Sequence, residues 1–132
     1  MWRTTLVVAA GGALGSILRF WISLWLLPIS KSLPWSTILT NVIGSFAIAL
    51  FAAITASSGR HPTADLWRNA FMVGVCGGFT TFSSFSLQSV DLIRAGAPVR
   101  ALLNVGMSVA LCLTAAIAGY LVADWLSRPS PR

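Results

Sequence analysis

The segment Gly74–Ser86, which reads GVCGGFTTFSSFS, lies in the middle of an apolar stretch long enough to cross a membrane. Gly77 and Gly78 weaken a helix, and the hydroxyls of Thr80 and Thr81 can bond to backbone groups that a break would free. At membrane depth, non-helical backbone survives only where it is buried in protein or lines a wet cavity. The segment therefore predicts either a place where an ion is handled or a glycine-rich packing surface between helices.

Aromatic and polar side chains follow this expected break. Phe82 and Phe85 lie about one helical turn apart, and the positive edges of their rings can contact a small anion. Ser83, Ser84 and Gln88 add polar groups, with Ser84 and Gln88 on one helix face. The alternative for the two phenylalanines is ordinary packing in the core.

A second set of polar residues recurs every four positions, at Thr37, Asn41 and Ser45, and so occupies one face of a helix. The amide of Asn41 can donate two hydrogen bonds, which an anion needs when it leaves water. The alternative is an interhelical hydrogen bond that stabilises packing, a common role of membrane asparagines. On the last apolar run, Ser108 and Cys112 also share a face.

Arg19 falls inside the first apolar run. An arginine in a span is costly, so it either faces a wet vestibule or a partner, or extends its side chain to the membrane surface. Both interpretations stay open. No acidic residue lies deep in a run, although proton-coupled exporters use such a carboxylate as their relay. A Ser/His/Asp set, a phosphate loop and a metal-binding cluster are also missing from the sequence, so we expect no enzyme.

The composition places the chain in a bilayer. Of 132 residues, 56% are hydrophobic and 9% are charged, and the mean hydropathy is +0.81. Four apolar runs predict transmembrane helices over about 4–27, 35–57, 67–89 and 99–126, which together make one transmembrane domain over 1–132. Most of the tryptophans lie near the ends of these runs, as in an interfacial aromatic belt. The six are Trp2, Trp21, Trp25, Trp35, Trp67 and Trp125.

The charges indicate orientation only weakly. Four spans put both termini on one side, together with Arg3, Arg60, Arg68, Arg128 and Arg132; the other side has Lys31, Arg94 and Arg100. This bias slightly favours cytoplasmic termini in a single orientation, but it is small enough to allow insertion in both orientations and an antiparallel homodimer. The net charge of +6 favours contact with anionic lipid. It does not indicate nucleic acid, because no soluble surface carries a basic stripe.

Three motifs in order resemble the CrcB/Fluc family of fluoride channels. GGALGSILRF at Gly11–Phe20 is similar to the family's first-span signature, and TNVIGSF at Thr40–Phe46 is similar to its asparagine-bearing second span. GVCGGFTTFSSFS at Gly74–Ser86 resembles its broken third span and is the most specific of the three.

The resemblance implies an all-α integral membrane protein of four transmembrane helices with a broken third helix. It further implies an antiparallel, dual-topology homodimer in the bacterial inner membrane, with two pores that conduct fluoride passively, reject chloride and relieve fluoride toxicity. The alternative function is that of a small dual-topology multidrug-type transporter, against which the missing deep carboxylate argues.

The resemblance also implies roles for individual residues. Asn41 corresponds to the pore-lining amide, and Phe82 and Phe85 to the aromatic pair whose ring edges meet fluoride. Ser83, Ser84 and Ser108 correspond to the polar track, and Arg19 to the vestibule arginine. The backbone carbonyls of Gly77 and Thr80 would hold a structural sodium ion at the dimer interface. Gln88 departs from the pattern, because the family often has glutamate there.

Overall fold

The computed structural model describes residues 1–56 and 63–127. The predicted end of the second span at Ser57, and the positions of Arg60, Arg128 and Arg132, lie outside this part of the chain. Within it, every regular element is helical, which confirms the all-α class. Four stretches in these ranges are long and apolar enough to cross a membrane: Trp2–Trp25, Trp35–Thr55, Asp65–Arg94 and Pro98–Ser127.

The helix bounds follow from local sequence. Helix α1 covers Trp2–Trp25, and α2 covers Trp35–Thr55 directly after Pro34. The third span consists of a short α3 (Asp65–Asn69), a π-helical segment (Ala70–Cys76), a short α4 (Gly77–Phe79) and α5 (Phe82–Arg94). Helix α6 covers Pro98–Ser127. Between α5 and α6, Gly96 adopts a φ of 74°, which glycine tolerates without strain, and proline suits the first position of the next helix.

The closest helix packing falls into two groups. Helix α1 lies against the π-helical segment and α4, while α2 and α5 lie against α6. Glycines make the first crossing possible: a Cβ on Gly15 would come within 2.8 Å of the Phe79 nitrogen, and one on Gly74 within 2.8 Å of the Val8 carbonyl oxygen. In lipid, where burial supplies little driving force between helices, such close backbone approach is a main source of attraction.

The third span is interrupted, but not at the glycine pair. Gly77 has helical angles (φ −63°, ψ −38°), and Gly77–Phe79 form α4. The extended residues are Thr80 (φ −85°, ψ 159°) and Thr81 (φ −154°, ψ 111°). The two glycines, which were expected to weaken the helix, thus stay helical themselves. The missing side chain of Gly78 allows close packing, since a Cβ there would clash with the backbone of Gly12.

Candidate functional site

Two extended threonines and their hydrogen bonds define the interruption. The Thr80 N–H still closes the last turn on the Cys76 carbonyl at 2.9 Å. One residue later, the Thr81 hydroxyl accepts from the Ser84 N–H at 3.1 Å and so caps α5. A threonine cap of this kind satisfies one of the free donors at a helix start. The chain therefore ends one helix and begins the next within two residues.

The side chain of Asn41 holds the interruption from the α2 side. Its Nδ2 donates to the Thr81 carbonyl at 3.1 Å, and its Oδ1 accepts from the Thr81 N–H at 2.7 Å. The amide thus pairs with both backbone polar groups of one residue, Thr81, as a neighbouring strand would. Because a primary amide has two N–H donors, one donor of Asn41 remains for another acceptor.

Helix α1 holds the interruption from the other side. The Arg19 Nε donates to the Gly78 carbonyl at 3.1 Å, and the Ser16 hydroxyl is 3.5 Å from the same oxygen. The guanidinium is partly buried against protein. In this geometry the arginine contacts α4. Its role at a vestibule stays a prediction.

The interruption releases two backbone carbonyls. In a continuous helix, the Thr81 N–H would bond to the Gly77 carbonyl, but here it bonds to Asn41. The Ser84 N–H would likewise bond to the Thr80 carbonyl, but here it bonds to the Thr81 hydroxyl. The oxygens of Gly77 and Thr80 therefore lack their regular helical donors. Carbonyl oxygens are hard ligands that suit a hard cation, so the predicted sodium ligands fit the chemistry of that ion.

A cleft of about 350 Å³, here called the main cleft, collects most of the predicted site. Its lining includes six of the predicted residues: Asn41, Gly77, Thr80, Phe82, Phe85 and Ser108. The rings of Phe82 and Phe85 are 5.3 Å apart between centroids and inclined by 47°. Ser108 is only 5% exposed, and its hydroxyl has no hydrogen-bond partner among the described residues. Residues that carry an aromatic pair, an amide and an unpartnered hydroxyl therefore line one cleft.

Two of the predicted polar residues lie beside this cleft and do not line it. Ser83 is exposed and its hydroxyl is 3.2 Å from the Thr81 hydroxyl. The Ser84 hydroxyl accepts from the same threonine at 3.0 Å. In a single subunit, both serines thus support the start of α5. A place for them on an ion path stays a prediction.

The structure adds residues that the sequence analysis did not assign to the site. Asn104 is fully buried and donates to the Ser89 hydroxyl at 2.9 Å, which ties α6 to α5 one turn from Phe85 and Ser108. A single asparagine in an apolar run carries no signal for this contact. Cys76 and Cys112 also border the main cleft. Among the described residues, no group of three His, Cys, Asp or Glu side chains could hold a metal.

Comparison of the sequence with known proteins identifies a family. The family model described as CrcB-like protein, Camphor Resistance (CrcB), matches residues 6–120. The chain belongs to the CrcB-like family. It is 53% identical over 120 residues to a protein of Methylobacterium radiotolerans, covering 91% of this chain and 84% of the relative. A Gluconobacter oxydans protein is 49% identical over 122 residues, covering 92% and 85%.

A third relative, from Paramagnetospirillum magneticum, is 48% identical over 126 residues, covering 95% of this chain and 98% of the relative. All three relatives are named fluoride-specific ion channel FluC. The resemblance drawn from the three motifs is thereby confirmed, and so is a multi-pass membrane protein with bacterial relatives. The names denote channels and not enzymes, and they do not favour the multidrug-type alternative.

Proposed function

We propose that this chain forms a fluoride-selective channel that passively exports fluoride from the cytoplasm and so relieves its toxicity. The observation that carries the proposal is the main cleft, where Asn41, Ser108 and the Phe82–Phe85 pair converge. Asn41 and Ser108 each offer a hydrogen-bond donor that no described residue uses. The positive edges of the two rings attract an anion weakly, without a charged side chain that would bind it tightly.

The start of α5 supports an anion at this place. Its first N–H groups have no intrahelical acceptor, and the helix dipole puts partial positive charge at this end. Phe82, the first residue of α5, lines the main cleft, so the cleft adjoins the positive end. Transport requires no fuel, because a negative interior drives an anion outward by about 2.3 kcal/mol per 100 mV.

We further propose that two copies assemble as an antiparallel homodimer. In a single subunit Phe82 is 78% exposed, so the main cleft is open along one side. Its polar groups would then face hydrocarbon, which costs free energy that a second subunit would remove. The weak charge bias permits the opposite orientation of the second copy. Anionic lipid would contact the remaining basic ends of the helices.

The proposed dimer would hold a structural sodium ion on its two-fold axis. The freed carbonyls of Gly77 and Thr80, each present twice, would supply four hard oxygen ligands. Bound sodium measured by elemental analysis, after exchange into sodium-free buffer, should be about one ion per dimer if a two-fold axis places the site. A dimer that retains no sodium would contradict this assignment.

Fluoride efflux from liposomes tests the channel proposal. Purified protein is reconstituted into vesicles loaded with potassium fluoride, and an ionophore for potassium balances the charge. We expect rapid fluoride release without a proton gradient and no matching release from vesicles loaded with chloride. Equal chloride release would refute selectivity, and a strict requirement for a proton gradient would refute passive conduction.

A further inference from the structure

A second cleft of about 280 Å³, here called the loop cleft, opens between residues 30–34 and helix α5. Residues 30–34 connect α1 to α2, on the membrane side opposite to the termini. The loop cleft contains the ammonium-bearing Lys31 and the carboxylate-bearing Asp91, and both residues are exposed. Neither forms an ion pair within the described part of the chain. None of the motifs that indicate the main cleft includes these two residues.

Helix α5 connects the two clefts. Phe82 and Phe85 line the main cleft, whereas Gln88 and Leu92 line the loop cleft. These residues are spaced by three, three and four positions, which keeps them on one face of the helix. An ion that leaves the main cleft along this face therefore reaches the loop cleft after about one turn of α5.

The junction between the clefts is polar. The Gln88 Oε1 is buried and has no hydrogen-bond partner among the described residues. A buried carbonyl oxygen without a protein donor is usually satisfied by water. Water at this position would lie where an anion regains its hydration after it has passed the phenylalanines. The side chain of Gln88 thus places an unpartnered polar group between Phe85 and the loop cleft on the same helix face.

We propose that the loop cleft is the aqueous mouth of the anion path, where Lys31 concentrates fluoride and Asp91 opposes it. The proposal rests on the proposed function of the main cleft. Cations outnumber the acid at this membrane end, because Arg94 and Arg100 accompany Lys31. A cleft with low-dielectric walls focuses the field of the charges that line it and changes the local concentration of ions. Lys31 and Asp91 line the cleft, whereas Arg94 and Arg100 do not.

The test compares Lys31→Glu, Asp91→Asn and the control Arg100→Glu. Arg100 is an exposed cation at the same end of the molecule, but it does not line the loop cleft. Fluoride efflux per reconstituted protein is measured at low and high ionic strength, with sulfate salts as the added electrolyte. Gel filtration of each variant establishes that the protein remains folded and keeps the assembly state of the unmodified chain.

We expect Lys31→Glu to slow efflux roughly three- to tenfold at ~10 mM ionic strength, where the Debye length is about 30 Å. The deficit should shrink below about twofold near 1 M, where the Debye length is about 3 Å. Asp91→Asn should speed efflux at low ionic strength, and Arg100→Glu should change it less than Lys31→Glu does.

Equal rates in Lys31→Glu and the unmodified protein at low ionic strength would overturn the assignment of the mouth. So would an equal effect of Arg100→Glu, because it would indicate a general surface charge. Absence of fluoride efflux in the unmodified protein would instead refute the proposed function, so the two failures are distinguishable.

Discussion

Replacing Asn41 by aspartate tests whether the amide lies on the anion path. The amide donates to the Thr81 carbonyl at 3.1 Å and accepts from the Thr81 N–H at 2.7 Å. Aspartate keeps the shape and the acceptor, but it replaces the donor with an oxygen that faces a carbonyl oxygen. The change therefore removes one hydrogen bond and places a negative charge beside the main cleft.

The electrostatic effect should dominate the result. A carboxylate and a fluoride ion about 4 Å apart repel each other by about 4 kcal/mol at an effective dielectric constant near 20. Since about 1.4 kcal/mol changes a rate tenfold, fluoride flux should fall roughly a thousandfold. The lost hydrogen bond and its unpaired carbonyl should cost only about 1–3 kcal/mol of stability.

The assay is fluoride efflux per folded protein, with Asn41→Leu as the matched control. Leucine has a similar volume and removes both hydrogen bonds to Thr81 without adding charge. Asn41→Leu should also slow efflux, because the amide donor is gone, but Asn41→Asp should be slower by at least about tenfold, a difference of about 1.4 kcal/mol. If monodisperse Asn41→Asp conducts fluoride as fast as Asn41→Leu, no anion passes close to this side chain and the assignment fails.

The other predictions concern the aromatic pair, the glycine crossing and the dimer. Phe82→Ile and Phe85→Ile keep apolar bulk but remove the ring, so they should slow fluoride efflux steeply while the protein stays folded. If both variants conduct fluoride as fast as the unmodified protein, Asn41 and Ser108 remain as the pore lining. Gly78→Ala should destabilise the fold by about 1–3 kcal/mol, because its Cβ would clash with the Gly12 backbone. Gly106→Ala is the control, since its Cβ would meet nothing within 4 Å. Stability is measured by thermal unfolding in detergent, and equal losses of stability in both variants would refute the packing argument. A cysteine at the exposed Ala64, in a background without native cysteines, should react with impermeant reagents from both sides of native membranes; reaction from one side only would exclude dual insertion.

The helical architecture could be predicted from the sequence because composition decides it. Apolar runs of about 20 residues leave the chain few ways to satisfy its backbone in lipid other than helices. The helix bounds differ from the predicted spans by at most two residues, except at the end of the third span. Polar interfacial residues can continue a helix without an apolar signal. The third span extends furthest beyond its prediction, to Arg94, for this reason.

The position of the interruption could not be predicted from the sequence, because it depends on partners that are distant in the chain. Gly77 and Gly78 weaken a helix locally, yet both stay helical, and Gly78 packs closely against Gly12 of α1. The extended conformation falls on Thr80 and Thr81 because Asn41 from α2 pairs with both backbone polar groups of Thr81. A motif can indicate that Asn41 has a functional role, but only the fold shows which residue its side chain contacts.

The most direct test of the central claim is the reversal potential of the reconstituted protein in a planar bilayer. With a tenfold gradient of fluoride, equal chloride on both sides and no proton gradient, a passive fluoride-selective path should reverse at about 59 mV, the value for transfer of one charge. Adding a tenfold chloride gradient in either direction should leave this potential unchanged. A reversal potential near zero, or one that follows chloride or pH, would contradict selective passive fluoride conduction.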